Sequence, residues 1–374
     1  MIRIGVVGYG YWGPNLARNF SENGCCVLAA ICDPKPKRQD LARRRHPGVN
    51  VSASPKELID LVDAVAIATP VESHFEIGMA ALQAGRHVLI EKPLTSTAAQ
   101  AECLIEEAEK RGLVLMVDHT FLYTGAVKKI KQLLDAGELG DCRYYDSVRV
   151  NLGLFQPDVN VIWDLAVHDL SIMDYLLPGS PVAVSATGIS PLAGCAHSIA
   201  YMTCFFEREQ IAHIHVNWLS PMKIRRTLLG CSQRMVVYDD VEPSEKVKVY
   251  DKGVVVSNDP DNVYRKLIEY RMGDMWAPKL DSREALGVEA AEFLQCIENR
   301  ATPLSNGQTG LRVVRLLEAA TQSMLDRGRP VEMEAKRTFD DSLRGLASAV
   351  SRYQSGDSVG HSERPEYQPV RSGH

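Results

Sequence analysis

Through its first 120 residues the chain alternates short apolar runs with longer amphipathic ones. Residues 2–7, 27–32, 64–68, 87–90 and 114–117 are largely apolar, as strands buried on both faces should be. Between them, residues 14–22, 36–45, 55–61, 71–84 and 97–111 read as helices. Proline stands near the start of several, where a helix tolerates it. Gly24, Gly85 and Gly112 follow three of them, where a C-terminal cap is expected. Alternation at this spacing predicts a doubly wound parallel sheet. After residue 122 the pattern changes. Residues 125–136 read as a helix stopped by Gly137, 143–150 as a strand, and 164–177 as a helix closed by Pro178-Gly179. From 181 to 256 strand follows strand (182–189, 197–206, 210–218, 224–229, 235–238, 246–250, 253–256), which predicts a largely antiparallel sheet. Helices return at 282–299 and 307–327. Residues 356–374 are polar, without periodicity, and read as a mobile tail. The organisation expected is an α/β dinucleotide-binding domain at 1–122, an α+β domain with an open sheet at 123–336, and an extension at 337–374. The late helices are placed to pack back on the first domain.

Composition narrows the class. A chain of 374 residues and 41.4 kDa suits about two domains of roughly 100–200 residues. Its 42 Lys+Arg against 47 Asp+Glu leave no general basic footprint, which excludes ordinary nucleic-acid binding but not a local basic pocket. Nine cysteines without a C-x-x-C pair argue against a disulfide framework or structural zinc and for a reducing cytoplasm. The N-terminus, Met1 to Gly10, is too short and glycine-broken for a signal peptide. No run of about 18 apolar residues suggests a membrane helix.

Gly8-Tyr9-Gly10-Tyr11-Trp12-Gly13 fits G-x-G-x-x-G directly after the first strand and before a helix. Gly8 permits the tight turn, Gly10 the approach of a pyrophosphate, and Gly13 close helix–strand packing. The helix N-terminus then offers N–H groups to the phosphates. These features mark a Rossmann dinucleotide site, with Tyr11 and Trp12 on the cofactor loop. Asp33 ends the second strand, 20 residues after Gly13, where a carboxylate reaches the adenosine ribose 2′-hydroxyl. NAD is therefore favoured over NADP, although Lys35, Lys37 and Arg38 weaken the preference.

Gly85 to Leu94 contains Glu91-Lys92-Pro93 after a strand. With the glycine loop, Ala68-Thr69-Pro70 followed by His74, and Asp164-Leu165-Ala166-Val167-His168-Asp169, it resembles the Gfo/Idh/MocA oxidoreductase family over about residues 1–335. The resemblance implies nicotinamide chemistry on a sugar or cyclitol carbon. It also implies an open sheet used for homo-oligomer assembly as a dimer or tetramer, a cis bond before Pro93, and cofactor contacts from Thr69, Pro70, His74, Glu91 and Lys92. Asp118 to Thr124, Asn151-Leu152-Gly153, Asp158 to Asp164 and Trp218 to Arg225 look like a narrower branch. That branch contains UDP-N-acetylglucosamine and UDP-N-acetylglucosaminuronic acid 3-dehydrogenases. Many other members have an Arg-aromatic pair where this chain has Leu122-Tyr123, so glucose or inositol specificity is not carried over.

Oxidising an alcohol needs a base for the proton, while the cofactor takes the hydride. His168 suits that role, since an imidazole titrates near neutrality. Asp164 lies four residues earlier, on the same face of an α-helix, continued by Ser171 and Tyr175; a helix N-cap is its plainer role. Lys92, at a strand's carboxyl end where ligands bind in open α/β sheets, is expected to bond the reacting hydroxyl and stabilise a developing alkoxide. Lys223, Arg225 and Arg226 form a basic turn able to hold a diphosphate or carboxylate. Asn151 and Trp163 are candidates for the sugar pocket, with core packing equally open for Trp163. His213 and His215 alternate on one strand, but no third ligand matches, so no metal is expected. His119 follows a strand and stays unranked.

The leading reading is an NAD-dependent dehydrogenase of a UDP-linked amino sugar. Three alternatives remain: an NADPH-dependent ketoreductase of a nucleotide-linked ketosugar, a dehydrogenase of a free sugar, cyclitol or aminoglycoside, and a non-catalytic NAD-binding regulator.

Overall fold

The computed structural model describes residues 1–153, 159–191, 196–257 and 267–333. Asp158, Cys195 and the extension expected at 337–374 lie outside the described residues.

The N-terminal strands are β1 (Ile2–Val7), β2 (Cys26–Cys32), β3 (Asn50–Ser52), β4 (Ala64–Ile67), β5 (His87–Glu91) and β6 (Leu115–Asp118). They form one parallel sheet in the order β3-β2-β1-β4-β5-β6. The order turns back between β1 and β4, so a crevice opens at their carboxyl ends. Helices α1 (Gly13–Glu22), α2 (Pro36–Arg45), α3 (Pro55–Leu61), α4 (His74–Gln83) and α5 (Ala98–Arg111) make the crossovers. Proline opens the first three, and Gly112 at φ +63° ends the fifth. Gly24 does not cap α1; Asn23 does, in an extended conformation. β3, too short to show a period, was not anticipated.

The second half contains α6 (Gly125–Asp135), β7 (Cys142–Leu152), α7 (Val167–Leu176), β8 (Ala183–Ile189), β9 (Ile199–Phe205), β10 (Ile211–Asn217) and β11 (Leu219–Cys231). β12 (Met235–Asp239), β13 (Val247–Ser257), β14 (Leu267–Trp276), α8 (Ala285–Asn299), α9 (Gly307–Leu325) and β15 (Val331–Glu332) complete it. Its nine strands run β14-β13-β12-β11-β7-β10-β9-β8-β15. Every neighbouring pair is antiparallel except β7 with β10. Alternation along β9 and β10 buries Ala200, Met202, Cys204, Ala212, Ile214 and Val216 against the helices. The opposite face leaves Tyr201, Phe205 and Ile211 exposed. The two strands expected at 246–250 and 253–256 are one, and β14 had no counterpart in the sequence reading.

The late helices return to the first sheet. Arg18 of α1 meets Glu284, just before α8, at 2.6 Å. The link into α9 lies along the edge of β6, where Val117 N–H donates to Ser305 O at 2.7 Å. One buried cluster accordingly runs from Ile4 and Val6 of β1 to Met202 and Ile214 of the second sheet.

Candidate active site

Gly8 sits at φ +93°, and a Cβ there would fall 2.5 Å from Ala68 O. A Cβ on Gly13 would fall 1.9 Å from Gly8 O. Only hydrogen fits at either position, so β1, the β4 end and the start of α1 close on one another and leave a bare main-chain cradle. Such a cradle fits a dinucleotide pyrophosphate. Asp33 is buried beside it and accepts hydrogen bonds from Tyr9 N–H at 2.8 Å and Lys35 N–H at 2.9 Å. The Arg38 guanidinium lies 3.3 Å from the same carboxylate and borders Gly10. Tyr11 is exposed and stacks on Trp12. Trp12 Nε1–H donates to Asp118 at 3.0 Å.

Thr69 and Pro70 follow β4 on the same crevice, with Ser73 Oγ donating to Thr69 Oγ1 at 2.7 Å. His74 differs from the expectation of a cofactor contact. It is buried, with Nδ1 3.0 Å from Pro93 O and Nε2 2.9 Å from Thr69 O. Both ring nitrogens face main-chain carbonyls, so the neutral ring, with one N–H, donates to one of the two loops and packs against the other. Burial holds its pKa below the usual value.

The Lys92–Pro93 bond is cis. Lys92 Nζ donates to Asp164 O at 2.8 Å and to Asp164 Oδ1 at 3.2 Å. An ammonium has three donors, so one remains for another acceptor. Asp164 Oδ2 accepts from Trp218 Nε1–H at 3.0 Å. Asp164 is not the N-cap; Asn160 Oδ1 accepts from Ile162 and Trp163 N–H. Nor does it lie in α-helix. Residues Ile162–Ala166 form a π turn running into α7, a wider turn that re-aims the side chains it carries. Of the expected polar stripe, Ser171 is buried, while Asp164, His168 and Tyr175 are half-buried; Leu170 and Met173 on the other face are buried.

His168 packs edge-on to Phe121 at 5.0 Å between ring centroids. Its Nδ1 is buried without a hydrogen-bond partner among the described residues. Burial first, then Lys92, Arg149 and Arg225, hold its pKa well below the usual imidazole value. It is therefore neutral near neutrality and able to accept a proton. His119 is buried nearby with neither nitrogen partnered; burial and Lys92 push it down to about 3.

The floor is the inward face of β7 and β11. Arg149 is buried and forms a forked pair with Asp169 at 2.7 and 3.2 Å. Arg225 stands opposite Arg149 across the strands, with its guanidinium 3.3 Å from Asp240. Both guanidiniums lie against the Phe121 ring, at 4.5 and 6.0 Å. Asn151 shares that face, its Oδ1 buried and unpartnered. Lys223 is exposed in the bulge between the Leu219 and Ile224 pairings. Arg226 alternates away and pairs with Asp239 at 2.7 Å. The expected basic turn is thus a bulged strand, and it sends its arginines to different partners. Trp163 donates to Thr321 Oγ1 at 2.9 Å and packs on the core.

Behind Lys92 lies a buried carboxyl cluster. Glu91 Oε2 accepts from Lys92 N–H at 2.9 Å. Burial and the neighbouring Asp118 push Glu91 well above the usual carboxyl range. Glu289 of α8 is fully buried, both oxygens lack a donor, and burial with Asp118 pushes it up likewise.

Sequence reasoning missed Arg149, Asp169 and Glu289. The polar run Ser147, Arg149, Asn151 at period two was the available signal for the first, because it places charge on a face that must be inward. Asp169 was adjacent to His168 in the quoted motif. Nothing local marked Glu289. Among the described residues no group of three His, Cys, Asp or Glu side chains is arranged to hold a metal, and no helix is long and apolar enough to cross a membrane.

Residues 2–119 match the oxidoreductase family described by an NAD-binding Rossmann fold, and residues 127–238 match the GFO/IDH/MocA C-terminal domain. UDP-N-acetylglucosamine 3-dehydrogenase of Acidithiobacillus ferrooxidans is 29% identical over 84% of this chain and 94% of its own length. Its solved structure aligns with a TM-score of 0.71 at 27% identity, over 87% of this chain and 97% of that one. An NAD-dependent scyllo-inositol 2-dehydrogenase of Bacillus subtilis is 23% identical over 90% of this chain and 98% of its own length.

Proposed function

The chain belongs to the GFO/IDH/MocA oxidoreductase family with its NAD-binding Rossmann fold, and from that premise we propose that it is a dehydrogenase of a nucleotide-linked amino sugar, oxidising the secondary hydroxyl at C3. The observation that carries the chemistry is the placement of Lys92 on Asp164 beside a neutral His168. The amino-sugar assignment is supported by the 3-dehydrogenase relative, which aligns along nearly its whole length.

Gly8, Gly10 and Gly13 hold the dinucleotide pyrophosphate, Asp33 its adenosine ribose, and Thr69, Pro70 and Glu91 line the crevice toward the nicotinamide. Bound NAD supplies the hydride acceptor. The remaining Lys92 donor bonds the reacting hydroxyl and steadies the negative charge that grows on its oxygen. Asp164 neutralises and aims the ammonium. His168 takes the hydroxyl proton, its depressed basicity matching a base that is unprotonated at neutral pH. Arg149 of β7, paired with Asp169 of α7, fixes the floor under His168. Arg225, with Lys223 at the rim, offers positive charge to the anionic part of the substrate, and Asn151 an acceptor to a sugar hydroxyl.

The open face of the second sheet, with Tyr201, Phe205 and Ile211 exposed, supports assembly with further copies of the chain. The eight cysteines among the described residues are free, as in a reducing compartment such as the cytoplasm.

A second reading is a free cyclitol or sugar dehydrogenase, favoured by the inositol dehydrogenase relative. The two separate by measuring reduced nicotinamide absorbance with NAD and a panel of UDP-N-acetylglucosamine, its uronate, dTDP-glucose, free glucose and inositol. Turnover with UDP-amino sugars alone supports the first reading. Turnover only with unlinked sugars or cyclitols replaces it with the second.

A further inference from the structure

Two cysteines that are 89 positions apart in the chain meet across the second sheet. Cys142 is the first residue of β7 and Cys231 the last of β11, and they are cross-strand partners in the antiparallel pairing, beside a bulge that takes up Arg143. The flanking bond from Ser232 N–H to Asp141 O, 2.8 Å long, holds the strands together on one side of the pair. Opposed Cα atoms in antiparallel strands stand about 4.5–5.5 Å apart. That spacing overlaps the roughly 4.4–6.8 Å range found across disulfides, and the bulge at Arg143 gives the strand end room to adjust.

The pairing sets the two thiols side by side, close enough for each to shift the other's pKa. They are also unequal. The neighbouring Cys231 draws the Cys142 pKa down, while the same proximity together with burial pushes Cys231 up, so Cys231 keeps its proton. Both are only half-buried, with Arg143, Ser232 and Gln233 exposed beside them. The buried thiols are poor competitors, and the exposed Cys25 and Cys103 have, among the described residues, no cysteine paired across a strand to resolve a mixed disulfide. Burial pushes Cys26 and Cys32 up to about 11 and Cys204 up to about 12, so little nucleophilic thiolate forms there.

We propose that Cys142 and Cys231 form a thiol–disulfide exchange site that takes a low-molecular-weight disulfide of the glutathione type and closes to a cross-strand disulfide. The Cys142 thiolate attacks one sulfur of the small disulfide and expels the other as a thiolate. Cys231 then gives its proton to that leaving thiolate and attacks Cys142 Sγ, expelling the second small thiolate, which takes up the proton Cys142 had released. Two protein thiols are oxidised by two electrons, and one small disulfide is reduced to two thiols. The site is remote in function from nicotinamide chemistry and does not depend on it.

The test incubates the full-length protein with oxidised glutathione, alkylates the remaining thiols and maps the peptides by mass. The expected product is a single linked peptide pair, 142 with 231, two hydrogens lighter, with both thiols lost and no glutathione retained. Cys231→Ser should instead trap a lasting glutathione adduct on Cys142. Cys142→Ser should leave Cys231 reduced and open to alkylation. A stable adduct without the 142–231 link in the native chain, links between other cysteines, or unchanged alkylation of both residues each overturns the proposal.

Discussion

The Lys92 ammonium lies 2.8 Å from the main-chain oxygen of Asp164 and 3.2 Å from its carboxylate, so one cation ties the end of β5 to the π turn before α7. The contact joins segments 72 residues apart and leaves one ammonium donor over the crevice. Lys92→Ala should therefore lower kcat by about 10²–10⁴-fold, the range for loss of a positioned proton-handling group. NAD binding, followed by protein fluorescence, should stay nearly intact. Wild-type turnover in the variant would remove Lys92 from the chemistry.

With His168 as the proposed base, its titration should set the acid side of the rate profile. Its pKa is depressed, so the imidazole remains unprotonated through neutrality and gains a proton only below its usual value of about 6.5. The expected kcat is flat around neutrality and falls as the pH drops below that value. His168→Ala should lose about 10²–10⁴-fold in kcat and with it this acid limb. A limb centred above about 6.5 in the native enzyme would contradict the depressed pKa.

A pair of residues should govern cofactor choice if Asp33 meets the ribose as proposed. Asp33 is buried between the Tyr9 and Lys35 amides, with Arg38 against it. Asp33→Ala should shift the NAD-to-NADP ratio of kcat/KM toward NADP by about tenfold or more, since hydrogen bonds to charged groups contribute about 1.5–3 kcal/mol. Arg38→Ala should shift it the opposite way. The ratio is the decisive readout, because Asp33→Ala also strands two main-chain donors. An unchanged ratio in both variants would separate this pair from the ribose.

The Arg149–Asp169 fork is buried at both ends. Arg149→Met leaves the Asp169 carboxylate uncompensated and should cost about 3–5 kcal/mol in urea unfolding. Adding Asp169→Leu should recover much of that loss, because an apolar pair avoids the desolvation of both charges. Equal loss in single and double variants would show packing, not charge, to dominate there.

Glu289 gives a pH signature of stability. Its folded pKa is raised, so its contribution is full below the unfolded value of about 4.3 and is lost as pH rises through the folded value. Glu289→Gln stays neutral throughout. The variant should gain Tm over the native chain as pH is raised from about 5 to 9, by about 2–4 °C for each kcal/mol of relief. Parallel Tm curves across that range would place the strain elsewhere.

The first domain was legible because its signals are local. A strand buried on both faces must be apolar, and a turn with φ +93° at Gly8 needs glycine wherever the rest of the chain goes. The motifs around Lys92 and Asp164 to His168 were legible for the same reason. Less local features were read incompletely. β14 shows no clean alternation, and the bulge at 220–223 hid one long strand behind what resembled a basic turn.

The amino-acid sequence by itself determined the parallel sheet, the glycine cradle, the acidic residue ending β2, and the identities of Lys92, Asp164 and His168. Each is a matter of residue type at short spacing. Only the tertiary structure decided what those residues meet. It set His74 between two loops, turned Asp164 onto Lys92 and Trp218 through a π turn, and lowered the basicity of His168 by burial beside Lys92, Arg149 and Arg225. It also brought Glu289 against Asp118, and Cys142 against Cys231. Burial and charge proximity depend on distances between segments far apart in the chain, and a spacing of residues along one segment carries no information about those distances.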